Sequence, residues 1–159
     1  MHIFPYKSIT FETDLTTSEV EKRLTEDTDL SKKSWFKPDM SKLFTGNQID
    51  DGFKLKLNTY KWDINPSIEV NIQNKQNNSS KIEVTFYEEG FLIFIYMVFF
   101  GILLEMFITN FDKMTTNNNL IYFMLFIILT SSIITYFTLK RFYFVLNKTK
   151  IYFDEMLAK

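Results

Sequence analysis

Two long apolar runs near the C-terminus constrain this chain more than any other feature. Residues 91–108 read FLIFIYMVFFGILLEMFI, with Glu105 as the one charge, and residues 120–139 read LIYFMLFIILTSSIITYFTL, with none. As helices rising ~1.5 Å per residue, the two runs reach roughly 27 and 30 Å, comparable to a bilayer's hydrocarbon core. The sequence therefore predicts an integral membrane protein with a hairpin of two spans, about 91–108 and 120–139.

The rest of the chain has a different character. Residues 1–89 are polar, with 12 Lys/Arg against 15 Asp/Glu, a net charge of −3 by difference. That balance argues against a nucleic-acid partner. Cysteine is absent, which excludes disulfides and thiolate chemistry. The first twenty residues lack the basic start and continuous apolar core of an export signal, so residues 1–89 are expected to stay on the side of synthesis. Charge placement agrees with that orientation. Lys140, Arg141, Lys148 and Lys150 follow the second run, whereas the linker 109–119 carries only Lys113 beside Asp112. Basic flanks are retained inside, and two spans return the chain to its starting side, which places both termini in the cytoplasm.

Within residues 1–89 the periodicities predict an α+β domain. Tyr6–Thr13 alternates through Ile9 and Phe11 as a strand does. Thr16 and Glu19 have capping-box spacing, with Leu15 and Val20 as the staple around a helix over about Thr17–Thr25. Residues 27–40 read as a loop, with Trp35 and Phe36 tucked inward. Four strands then form a meander over 43–48, 53–61, 67–74 and 81–87, with a hairpin turn at Asp51-Gly52. Phe53, Leu55, Leu57, Ile68, Val70, Ile72, Ile82, Val84 and Phe86 share one face. The resulting order is β-α-β-β-β-β, a small antiparallel sheet with one N-terminal helix.

One short helix cannot cover five strands. The tail supplies a second. Phe142, Val145, Leu146, Phe153, Met156 and Leu157 recur at helical spacing against Asn147, Lys148, Lys150 and Asp154. Such an amphipathic helix either continues the second span and packs on the sheet or lies flat on lipid. The domain plan is thus a cytoplasmic α+β domain over 1–89, a transmembrane hairpin over 90–140, and an amphipathic tail helix over 141–159.

Several short segments carry a resemblance. They are Leu15-Thr16-Thr17-Ser18-Glu19-Val20 with Arg23-Leu24, Phe44-Thr45-Gly46, Phe53-Lys54-Leu55, Tyr60-Lys61, Pro66-Ser67-Ile68 with Ile72, and the tail Phe144, Lys148-Thr149-Lys150 and Phe153. On these the chain resembles a family of small bacterial membrane proteins with a cytoplasmic α+β domain, two spans and a charged tail. Val70 stands where that family tends to have Gly. The resemblance implies fold, topology and an inner-membrane location, and no activity.

The sequence offers few candidate sites. No catalytic or metal constellation is present, and no cofactor is implied. Glu105 sits near the end of its run, where a carboxylate can reach the interface. Gly101, Ser131 and Ser132 lie at similar depth in the two runs and suit helix packing, within the hairpin or between copies. Trp35, Phe36, Tyr60 and Trp62 could form an apolar patch for a ligand or a membrane surface. The reading is a membrane-anchored, non-enzymatic binding or assembly module whose partners are membrane lipid and either further copies or another membrane protein. Its rivals are a lipid or small-molecule sensor or carrier using a pocket between sheet and helices, and a membrane-active toxin or its immunity protein.

Overall fold

The computed structural model describes residues 5–30, 39–58, 65–75, 79–88, 90–110 and 118–158. By its internal contacts the chain forms two units, one of residues 1–88 with 142–159 and one of residues 89–141.

In the first unit, β1 (Tyr6–Thr13) leads into α1 (Thr17–Glu26). The capping box forms as the spacing requires. The Thr16 hydroxyl accepts from the Glu19 amide at 3.4 Å, and the Glu19 carboxylate accepts from the Thr16 amide at 2.9 Å. The Thr16 amide, and then the Thr16 hydroxyl donating at 2.7 Å, lower the Glu19 carboxyl from its ordinary value. Val20 and Leu24, one turn apart, are buried, and Leu15 packs against the same core.

The chain then enters β2 (Thr28–Asp29), β3 (Phe44–Ile49), β4 (Gly52–Leu57), β5 (Ser67–Asn74) and β6 (Ser80–Tyr87). The six strands run in the order β1-β6-β5-β4-β3-β2. All neighbours are antiparallel except β2, which pairs parallel to β3 through Thr28↔Phe44 and Asp29↔Thr45. The meander of β3 to β6 follows the predicted alternation, whereas β2 falls in the segment read as loop. A strand of two residues has no period to detect. The β3–β4 hairpin also differs in detail. Ile49 pairs with Gly52, so the turn residues are Asp50 and Asp51, and Gly52 opens β4.

Gly52 has φ +152°, and a Cβ there would lie 1.9 Å from the Val70 carbonyl oxygen. At Gly46 a Cβ would lie 2.1 Å from the Lys54 carbonyl oxygen. The two close backbone approaches therefore lie on either side of β4, toward β3 at Gly46 and toward β5 at Gly52, while Val70 itself keeps a buried side chain in the core.

One face of the sheet is apolar throughout. Phe44, Phe53, Leu55, Leu57, Ile68, Val70, Ile82, Val84 and Phe86 are buried on it. Val20 and Leu24 cover part of this face, and Phe142, Val145, Leu146, Phe153 and Met156 cover the rest. The tail is therefore docked on the sheet. Phe153 stacks on Phe11 with centroids 5.3 Å apart, and Phe142 meets Phe86 edge-on at 6.4 Å. Burying each such side chain contributes about 1.5–3 kcal/mol.

The second unit holds α2 (Gly90–Asn110) and most of the apolar part of α3 (Asn118–Leu157). α3 is one helix of 40 residues, so the second apolar run and the tail are continuous. Two expectations need correction here. Among the described residues, one helix is long and apolar enough to cross a membrane, Met124–Leu157. The described apolar stretch of α2, Tyr96–Thr109, is shorter. The two-helix transmembrane hairpin is therefore not found among the described residues, and the fold class is an α+β sheet-and-helix unit with one candidate membrane-crossing helix. The family resemblance, drawn on short segments outside the apolar runs, implied two spans and is overturned by the same finding.

Candidate functional site

α3 changes character along its length. From Phe142 to Met156 the buried positions are Phe142, Val145, Leu146, Thr149, Phe153 and Met156. They recur every three or four residues, which is one stripe of a helix facing a core. Earlier in the helix a stripe through Met124, Ile127, Ser131, Ile134 and Thr138 is covered, with Ile127 buried. On the other half Leu125, Phe126, Ile128, Leu129, Ile133, Tyr136, Phe137 and Leu139 are all exposed, with Phe126 at 63% and Leu129 at 61%. Large apolar side chains over half of a helix, with no charge among them, mark a surface made for an apolar environment. This stretch suits α3 to membrane association.

The docked end of α3 is held by polar bonds as well as by packing. The Arg23 guanidinium of α1 donates to the Met156 carbonyl, one of the orphan acceptors at the end of α3. The Tyr152 hydroxyl donates to the Asp27 carboxylate at 2.9 Å. Burial, then the bond to Asp27, pushes the Tyr152 hydroxyl well above its ordinary value. Tyr152 also meets Phe44 edge-on at 5.1 Å. Sequence reasoning missed Arg23 and Tyr152 because each partner lies over a hundred positions away. The one available signal was a basic residue in the last turn of α1.

In the second unit, Tyr96 of α2 bonds Thr135 of α3 at 2.8 Å between oxygens. Thr135 already donates to the Ser131 carbonyl at 2.8 Å, so Tyr96 is the donor. A Cβ on Gly101 would meet nothing within 4 Å. Ser131 and Ser132 donate to the Ile128 carbonyl of their own helix, at 2.9 and 2.7 Å. Glu105 is exposed. Trp35, Phe36, Tyr60 and Trp62 lie outside the described residues, as do His2 and Asp63.

The sheet face opposite the core is polar. Ser8 donates to the Glu83 carboxylate at 2.9 Å, and Lys54 lies 5.7 Å over the Tyr87 ring. Glu69, Asn71, Lys81 and Thr85 complete the same face and are half-buried by their neighbours. At the sheet's end Lys75 pairs with Glu12 at 2.6 Å, which lowers the Glu12 carboxyl. Among the described residues no group of three or more His, Asp or Glu is placed to hold a metal ion. The site class that emerges is a polar sheet surface on a unit whose core is completed by the end of a membrane-suited helix. No family model, curated protein or solved structure matches the chain.

Proposed function

We propose that the chain is a membrane-associated, non-enzymatic module that acts by protein contact, through its sheet unit, with a second copy or another membrane protein. The observation that carries this reading is the division of α3. Its exposed apolar stretch suits lipid, and its end is built into the core of the sheet unit. The polar sheet face, lined by Ser8, Lys54, Glu69, Glu83 and Thr85, offers hydrogen-bonding groups of both signs without a reactive arrangement.

The placement of the unit follows from the same helix. Lys140, Arg141, Lys148 and Lys150 follow the apolar stretch, and such basic flanks are retained on the cytoplasmic side. Counting spans no longer carries this placement. The basic residues after the apolar stretch support it instead.

Molar mass in mild detergent, by light scattering with the detergent subtracted, tests the reading. A defined oligomer, or a monomer that crosslinks to one reproducible membrane protein in cells, is expected. A strict monomer without crosslinks in membranes would overturn it.

A further inference from the structure

We infer that the outward face of α3 between Tyr143 and Ile151 is a contact surface for anionic lipid headgroups. The inference rests on the membrane association proposed above and adds the lipid class. In this segment the core takes Phe142, Val145, Leu146 and Thr149. Half a turn away the opposite face carries Tyr143, Phe144, Asn147, Lys148 and Ile151. A helix packed on a sheet ordinarily keeps that outer face polar. Here Tyr143 is 59% exposed, Phe144 43% and Ile151 56%. Lys148 lies 5.4 Å over the Phe144 ring, and Lys150 is exposed beside them. Aromatic rings interleaved with lysines are the composition of a membrane's headgroup zone, where rings sit among glycerol groups and cations meet phosphates.

Charge order along the helix selects the membrane over an acidic protein as the occupant. Between Asp112 and Asp154 the chain has no acidic residue, while Lys140, Arg141, Lys148 and Lys150 fall in that interval. The sign then reverses at Asp154 and Glu155. Passing along the helix from the apolar stretch, cations therefore come before carboxylates, the order that an anionic surface favours.

The absence of cysteine makes the test clean. The full chain carrying Ile151→Cys, labelled with a polarity-sensitive fluorophore, is placed in nanodiscs of phosphatidylcholine alone or mixed with phosphatidylglycerol. The exposed Asn47→Cys serves as the control. A blue shift and loss of acrylamide quenching at position 151 in the mixed discs only, cancelled by Lys148→Glu with Lys150→Glu and by high salt, is the expected result. Equal quenching in both compositions would overturn the headgroup contact and leave membrane association standing. Failure of the chain to enter discs of either composition would remove both.

Discussion

The two halves of α3 are made from much the same apolar residue types and differ in what stands off the covered stripe. In residues 142–157 the positions off the stripe include Lys148, Lys150, Asp154 and Glu155 beside Tyr143, Phe144 and Ile151. In residues 124–139 a stripe through Ile127 is also covered, but no charged residue occurs, and large apolar side chains fill the exposed half. Charges off the stripe need a polar boundary, whereas an exposed apolar half without charge needs an apolar medium. The pattern around the helix therefore reveals what surrounds it, more surely than the mean hydropathy of either segment.

That contrast can be broken from either end. The largest effect is expected at the docked end. Phe153→Ala removes a fully buried ring stacked on Phe11 and should lower the stability of the detergent-solubilised protein by about 3–5 kcal/mol, read by chemical denaturation. Membrane association should survive. The reciprocal change, Ile133→Arg in the apolar stretch, should cost about 3 kcal/mol of insertion and shift the chain out of the membrane fraction. Core packing should be untouched, because the sheet's partners begin at Phe142.

Smaller effects sharpen the picture of the sheet unit. Gly52→Ala places a methyl against the Val70 carbonyl at positive φ and should cost about 2 kcal/mol in the same denaturation assay. Thr149→Val should go the other way, raising stability by about 1 kcal/mol, since the Thr149 hydroxyl is buried without a hydrogen-bond partner. Tyr152 gives the least effect at neutral pH and a pH signature. Its folded-state value is raised above the ordinary 10.0. The contribution is therefore complete below about pH 10 and is lost as pH rises further, because the unfolded chain ionises first. The wild type should lose stability above that pH more steeply than Tyr152→Phe, by thermal melts across the alkaline range.

Much of the sheet unit was legible in the sequence. The alternation in 67–74 and 80–87, the capping box at Thr16 and Glu19, and the Phe142–Met156 periodicity each arise from local chemistry repeated along one element. Less was legible of the site. The helix-packing candidates Gly101, Ser131 and Ser132 were chosen by matching depth in two spans, and depth fixes no rotation about the helix axis. A hydrogen bond between α2 and α3 joins Tyr96 and Thr135, which no periodicity marks. The two-span hairpin was inferred from run length, yet among the described residues one helix, not two, is long and apolar enough to cross a membrane.

The sequence by itself determined the periods: which residues can share a face, where α1 begins, and that residues 120–139 favour an apolar medium. These are properties of neighbours along the chain, set by steric preference and side-chain polarity. Only the tertiary structure decided that the tail docks on the sheet, that β2 pairs with β3, and that Arg23 and Tyr152 join α1 to the end of α3. Those choices depend on shape and hydrogen-bond geometry between residues far apart in sequence. An amphipathic helix satisfies a sheet and a membrane surface equally well until the facing side chains, Phe11, Phe44 and Phe86 among them, are in place to receive it.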